Sequence, residues 1–290
     1  MLDQLIQQLV NGITIGVIYA LVAIGFTMIF GILEIINFAQ GEFYMIGAFI
    51  TYYFVTLLGL NYFVAVAISM GVVGLIGFCA EYLTIKPLRE KPLMTTILST
   101  FGLSIFIENS AMVGWGPTPK LIPSPITDVI FSFPFLRITG HRLFLISFGI
   151  IVIISVMIFI QRSKMGKAMR ATAAERDAAA LMGVNIGKIY GFTFAFGTSL
   201  AGLAGGLLGA IFSVYPTMGV FAIIKSFVVV IVGGMGSMKG AIYAGLGLGI
   251  IETLGAGYIS TEYKDSIGFA VMILFLLFYP QGIFGYRRSR

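Results

Sequence analysis

Charge is what this sequence has least of. Lysine, arginine, aspartate and glutamate make up 10% of its 290 residues, while hydrophobic residues make up 58%. A soluble globular domain carries about 25% charged residues. With a mean hydropathy of +1.01, the chain is excluded from the soluble enzymes and binding modules and reads as a polytopic membrane protein. Histidine occurs once, at His141, which excludes a histidine-based metal cluster and reads as a loop imidazole. Cysteine also occurs once, at Cys79 inside an apolar run, so there is no disulfide framework and no CxxC pair, and a packed thiol is expected. The opening stretch MLDQLIQQLVNGITIG has no basic n-region or small-residue cleavage site and reads as the start of a retained first span.

Catalytic and nucleotide motifs are missing as well. GGMGSMKG, from Gly233 to Gly240, resembles a phosphate loop only superficially. A P-loop needs G-x-x-x-x-G-K-[ST], because its second glycine lets backbone N–H groups cradle phosphate beside the lysine. Here Met238 precedes Lys239 and Gly240 follows it, and G-x-G-x-x-G fails because Lys239 takes the last glycine position. A break between apolar segments is the better reading. No G-x-S-x-G, H-E-x-x-H or paired-carboxylate arrangement falls on an aqueous face. The chain therefore reads as a non-enzyme with no cofactor, no metal and no catalytic residue, drawing energy from a gradient or a partner.

What is present is a series of apolar runs. Candidate spans lie near 10–30, 38–58, 62–85, 92–115, 143–161, 189–212 and 266–283. A long region, 216–259, interrupted by Lys225 and GGMGSMKG, reads either as two spans or as one broken, re-entrant element. The fold class is thus all-α: one transmembrane bundle domain over 1–290 with about eight spans (seven to nine). Twelve of the 18 lysines and arginines fall in three places: Lys86, Arg89 and Lys91; Arg162, Lys164, Lys167, Arg170, Arg176 and Lys188; and Arg287, Arg288 and Arg290. Basic short loops mark the cytoplasmic side, so those loops and the C-terminus are placed inside a plasma membrane. The opposite loop, 116–142, is rich in proline and reads as an irregular, semi-rigid external cap. Small residues recur every fourth position in three rows: Gly12, Gly16 and Ala20; Gly202, Gly206 and Ala210; and Ala241, Gly245 and Gly249. Such rows let helix backbones approach closely in lipid, and the wealth of glycine suggests broken helices of the kind that place polar backbone at membrane depth.

Ionisable groups inside apolar runs are costly unless they reach the interface. Glu81, five residues before Lys86, reads as interfacial. Glu108 lies near the outer end of its span, at a possible substrate entrance. Glu252 is deeper and needs a partner that the sequence leaves open. The densest cluster lies in 31–49, with Glu34, Asn37, Gln40 and Glu42 around Gly41. It is either a solvated turn or a re-entrant break over 31–43 that sets amide and carboxylate groups beside a pathway. Ser99, Thr100, Ser104, Thr193, Thr198 and Ser199 could line a polar path or bond their own helix backbones. The candidate pathway set is Asn37, Gln40, Glu42, Ser99, Ser104, Glu108, Thr193 and Thr198.

RATAAERDAAALMGVN, residues 170–185, breaks the apolar pattern. Alanine favours one short helix over 167–182, with Gly183 as a left-handed cap, within a loop spanning 162–188. It is too short and polar to cross a membrane. Among its residues only Met169, Leu181 and Met182 are large and apolar, a weak hold on a bilayer, which favours docking against a protein partner.

The run from Gly166 to Gly209, together with INFAQGEFYMIGAF and VGGMGSMKGAIYAGLGLGIIET in the same order, resembles the permease subunits of bacterial branched-chain amino-acid ABC transporters over about residues 8–286. The resemblance implies an inner-membrane permease and a coupling helix that docks on an ATPase. It marks Glu175, Ala178, Ala179 and Gly183 as the motif positions, with Arg170, Arg176 and Asp177 beside them. Arg176 and Asp177 stand where the usual motif has alanines. The implied partners are a second related permease, two cytoplasmic ATPases, a periplasmic substrate-binding protein, a small-molecule substrate and membrane lipid, with no nucleic acid. Neighbouring readings stay open on substrate: urea, short amides and other amino acids are carried by similar permeases. Two stay open on mechanism. A gradient-driven transporter predicts charged pairs deep in the bundle, and a passive channel predicts uptake without ATP.

Overall fold

The computed structural model describes residues 2–127, 129–133 and 136–285, so the basic tail at Arg287, Arg288 and Arg290, and Pro134 of the proline-rich loop, lie outside it. The described residues form a bundle of eleven α-helices and one short hairpin. Helix α1 (Leu2–Leu33) crosses the whole bundle. Then come α2 (Gln40–Thr56), α3 (Tyr62–Ala80) and α4 (Leu93–Trp115). A π-helical turn at Glu81–Ile85 and a short 3-10 turn at Lys86–Leu88 extend α3. The hairpin β1 (Ile130–Phe133) and β2 (Leu136–Thr139) precedes α5 (Gly140–Arg162). Two small helices, α6 (Lys164–Ala174) and α7 (Arg176–Leu181), lead into α8 (Ile186–Leu208), α9 (Met218–Gly233), α10 (Met238–Tyr258) and α11 (Lys264–Phe278).

Six helices, α1, α3 with its extension, α4, α5, α8 and α10, are long and apolar enough to cross a membrane. The remaining apolar segments form three shorter helices. The long region 216–259 is two helices, with Gly234 (φ 100°) and Gly236 (φ 84°) turning the chain between them. Burial ranks the spans. The apolar windows of α1 and α8 are 72% and 78% covered, whereas that of α4 is only 11% covered. The core is therefore built around α1 and α8, and α4 stands at the margin.

Two of the three small-residue rows are opposite sides of one seam. A Cβ at Gly12 would lie 2.7 Å from the Cα of Ile250, one at Gly16 2.8 Å from that of Leu246, and one at Gly245 2.9 Å from that of Ala20. With side chains absent at these points, the backbones of α1 and α10 come into direct contact, and theirs is the most extensive helix pairing in the protein. The row on α8 serves others: Gly202 receives Val73 of α3 and the backbone at Gly47 of α2, and Gly206 faces Thr51 and Ser69.

Helices α2 and α9 do not cross by themselves. At 1.5 Å per residue their 17 and 16 residues cover roughly 25 Å, short of a hydrocarbon core of about 30 Å. After α1 ends, Glu34 adopts φ 57° and residues 35–37 run without regular structure. They carry the chain back into the bundle, where the amide of Gln40 packs at Gly25, eight residues short of the end of α1. Helix α2 thus starts at depth. Helix α9 starts beside it, since a Cβ at Gly41 would overlap the carbonyl of Gly219.

Several sequence expectations change. The proline-rich segment is not wholly irregular, because β-branched and aromatic residues close the antiparallel hairpin with Ile130 opposite Thr139. A bridge between Lys120 and Val214 ties this cap over the α8–α9 connection. His141 is not a loop imidazole: it is buried in the first turn of α5, where Nε2 donates to the Leu207 carbonyl at 3.0 Å and Nδ1 accepts from Ser124 at 3.1 Å. Cys79 is exposed on α3 and not packed. Glu81 is buried and paired with Arg89. The expected single helix 167–182 is two helices, broken where Glu175 is extended (φ −153°). Alanine propensity yields here to tertiary contact: the break sets Arg176 over the Tyr190 ring and buries Ala179. Gly183 does take the left-handed conformation (φ 85°), with its N–H donating to Ala180.

The seam gives a paired test. Gly249→Leu drives a side chain into the α1 backbone and should cost about 3 kcal/mol or more. Gly247→Leu, whose Cβ meets nothing within 4 Å, should be neutral or stabilising by up to about 1 kcal/mol. Thermal midpoints in detergent, read by fluorescence-detected gel filtration, should fall for the first and hold for the second.

Candidate functional site

The site is the level at which α2 and α9 begin. A broken helix leaves backbone groups without partners, and in lipid water cannot supply them. The sequence provides amides. Asn37 accepts from the N–H of Ala39 at 3.2 Å through Oδ1 and donates through Nδ2 to Gln40 Oε1 at 3.2 Å. Gln40 in turn donates to the carbonyl of Gly197 at 3.0 Å, where α8 packs on Gly25 of α1. Thr100 of α4 closes the other side, donating to Ile36 O at 3.0 Å. Asn37, Gln40 and Glu42 are each 0% exposed, so this segment is not a solvated turn. It is a break whose polar side chains are turned inward.

Glu42 is the group whose position has no purely structural account. It lies in the first turn of α2, and its Oε2 is 2.7 Å from where a Gly219 Cβ would stand, in the first turn of α9. Two helix N-termini, each carrying partial positive charge, therefore face one carboxylate. Ser104 of α4 donates to Oε1 at 3.1 Å, while Oε2 is buried with no hydrogen-bond partner among the described residues. A carboxylate oxygen so placed can accept an N–H or ammonium donor. Its cover on one side is α4, the least buried of the crossing-length helices.

The other candidate pathway residues divide. Ser104 reaches Glu42, and Glu108 lies one turn further along α4, half-buried. Ser99 is half-buried on α4. Thr193 and Thr198 are buried, but their hydroxyls donate to their own helix at Ile189 O (2.7 Å) and Phe194 O (2.9 Å). Thr198, next to Gly197, faces Gly77 of α3.

Around the segment after α5, Arg170 donates to the Ile160 carbonyl, Met169 is fully buried, and Glu175, Arg176, Asp177, Ala178 and Gly183 are exposed. Leu181 and Met182, 89% and 85% exposed, project at its tip. A cavity of about 360 Å³, lined by Glu34, Arg89, Thr172, Glu175, Arg176 and Tyr190 among others, separates this segment from the end of α1.

Sequence reading left Glu252 without a partner. Lys225 of α9 supplies it: Nζ lies 2.5 Å from Glu252 Oε1 and 2.8 Å from Asp265 Oδ1, and Tyr19 donates to Glu252 Oε2 at 2.9 Å. Lys225 was visible only as an interruption of an apolar run. Its spacing from Glu252 carries no signal, because the two lie on different helices. Gly268 lets α11 approach the pair, as a Cβ there would stand 3.3 Å from Lys225 Nζ. A deep charged pair is what a gradient-driven transporter would need. In this protein the ammonium is held between two carboxylates, one of them further fixed by a phenol, and the arrangement clamps α1, α9, α10 and α11 together.

Six crossing-length helices, a helix break at depth and ionisable groups sealed inside define a polytopic membrane protein with an internal polar site. The chain belongs to the family of permease components of branched-chain amino acid transport systems, whose profile matches residues 8–276. It is similar to the high-affinity branched-chain amino acid transport system permease protein BraD of Pseudomonas aeruginosa, 38% identical over 97% of this chain and 95% of that one. It is also similar to the corresponding protein LivH of Escherichia coli K12, 35% identical with the same coverage. A shorter likeness, 29% over 42% of this chain and 36% of the other, is to the fructose import permease protein FrcC of Rhizobium meliloti. No solved structure matches the chain.

Breaking the buried pair should be costly. Glu252→Ala leaves Lys225 with only the half-exposed Asp265 and should destabilise by about 3–5 kcal/mol, whereas replacing both Lys225 and Glu252 by methionine should recover most of that. Thermal midpoints of the two variants in the same detergent check the order; equal losses would show that packing, not charge, holds these helices.

Proposed function

We propose that this chain is the membrane-spanning permease subunit of an ATP-binding-cassette importer for branched-chain amino acids. It works in a bacterial inner membrane with a second related permease, two cytoplasmic ATPases and a periplasmic binding protein, and hydrolyses no ATP itself. The observation that carries this reading is the family match from residue 8 to 276, joined by relatives of that name aligned over nearly the full length of both chains.

The basic face at Arg89, Lys91 and Lys188 lies toward the cytoplasm. Helices α6 and α7 then project from that face as the docking element, with Glu175, Asp177, Leu181 and Met182 presented to an ATPase. Met169 seats α6 against the body, and the cavity between this segment and the end of α1 leaves room for it to move. Displacement there reaches residues 34–39, and through them the start of α2 with Glu42. ATP acts on the pathway only as far as the docked ATPases favour one arrangement over another. Glu42 is the stepping group inside the pathway: its free oxygen receives the ammonium of the amino acid when α4 shifts, while selectivity rests with the binding protein.

Two experiments test the reading. Pull-down from native membrane in mild detergent should recover two ATPases and a second permease with the parent chain, and no ATPases with Glu175→Arg/Asp177→Arg. Recovery of the chain alone in both cases, with solute movement in liposomes without ATP, would overturn it. In the intact assembly, Glu42→Gln should lower the maximal uptake rate of leucine tenfold or more while the complex still assembles. Unchanged uptake would remove Glu42 from the pathway.

A further inference from the structure

A wide groove belongs neither to the helix break nor to the docking segment. It is about 960 Å³ and lies between α3 and α8, opening at the basic face. Its floor is small: Gly74 rests on Ala195 and Ser199, and a Cβ at Gly71 would meet nothing within 4 Å. Leu75 and Phe78 form one wall; Phe192 and Phe196, backed by Phe159 of α5, form the other. At the opposite end of the bundle α3 and α5 meet through Phe63 and Phe144, with ring centroids 4.9 Å apart. The slot is therefore apolar along the membrane and open toward the basic rim.

That rim carries Lys86, Arg89 and Lys188. Glu81 neutralises Arg89. Lys86 lies 4.0 Å over the Tyr82 ring, and neither it nor Lys188 has a carboxylate within salt-bridge distance among the described residues. Two uncompensated ammonium groups thus stand over the mouth of an apolar slot. We infer that the groove is a binding site for one anionic phospholipid, its acyl chain along Gly71 and Gly74 and its phosphate between Lys86 and Lys188. Basic pockets at the ends of transmembrane helices recognise lipid headgroups in this way. A phosphodiester headgroup without an ammonium of its own fits best, because a choline or ethanolamine cation would sit among the same lysines. A second permease fits worse: its own basic loops would lie on the same side of the membrane and meet these lysines with like charge.

The test uses the full chain purified from native membrane in mild detergent, stripped of lipid and titrated with phosphatidylglycerol or phosphatidylcholine, with bound lipids counted by native mass spectrometry. The parent should retain one phosphatidylglycerol at concentrations where phosphatidylcholine is not retained. Lys86→Glu/Lys188→Glu should weaken that binding tenfold or more. Gly71→Trp, which fills the slot without touching the rim, should abolish it while gel filtration shows an intact fold. Equal retention by parent and both variants would sink the proposal. So would loss in the charge variant alone, which would reduce the site to surface attraction for phosphate. A third contrary result would be crosslinking of Leu75→Cys, on a Cys79→Ala background in native membrane, to another polypeptide instead of a lipid probe.

Discussion

Within lipid, an apolar side chain gains little by exchanging a hydrocarbon neighbour for another side chain, so helices cohere through close packing and satisfied polar groups. In this protein the closest packing is backbone on backbone, and it depends on glycine. The α1–α10 seam at Gly12, Gly16, Gly245 and Gly249 sets the spacing of the most extensive helix pair among the described residues. The same device recurs where α8 receives α2, at Gly47 against Gly202 and at Gly205 against the Tyr44 carbonyl. Larger residues at these points would separate the helices and open the polar groups between them to lipid.

Close approach also makes the helix break possible. Residues 34–39 could not run through hydrocarbon unless other elements were near enough to take their polar groups. The bonds from Gln40 to Gly197 and from Thr100 to Ile36 exist because α1, α4 and α8 converge there. Glu42 and the first turn of α9 complete the arrangement, a carboxylate between two positive helix ends. The Lys225–Glu252 pair follows the same logic. Each charge is tolerable at depth only because a neighbouring helix brings its complement within bonding distance, and Gly268 lets α11 close over the pair with Asp265.

How much of this was legible depended on whether the feature was local. The small-residue rows were readable as rows because a helix repeats nearly every fourth residue, but that the rows on α1 and α10 face each other is a tertiary fact. Gly183 as a left-handed cap was readable because only backbone strain was at issue. The break at Glu175 was not, since alanine propensity points to one helix and the contacts that overrule it come from Tyr190. The cluster from Glu34 to Glu42 stood out by composition, yet its burial could not follow from residues that suit a solvated turn equally well. His141 and Cys79 misled for a related reason: exposure in a bundle depends on which way a helix faces, and a single residue in an apolar stretch carries no phase. Thr193 and Thr198 looked like pathway hydroxyls and bond their own helix, an outcome open to any serine or threonine within a span.

The distribution of packing also sorts the molecule into parts that can and cannot move. Helices α1, α8, α9 and α10 pack closely through glycine contacts, and the Lys225–Glu252 pair, to which α11 adds Asp265, ties α9 to α10, so these helices form the unit least able to deform. Helix α4 stands outside that unit: it bonds the break at Ile36 through Thr100 and α2 at Glu42 through Ser104, stacks Trp115 on Phe49, and leaves most of its surface uncovered. In the transport reading we propose, a change of access at Glu42 is cheapest as a displacement of α4 and the break together, because it disturbs the hydroxyl and ring contacts of α4 and leaves the α1–α10 seam intact. The α6–α7 segment, which we propose as the docking element, sits at the near end of the same break, across the cavity from Glu34. In that reading a push delivered there acts on residues 34–39, which lack regular helix and where the backbone has freedom to respond.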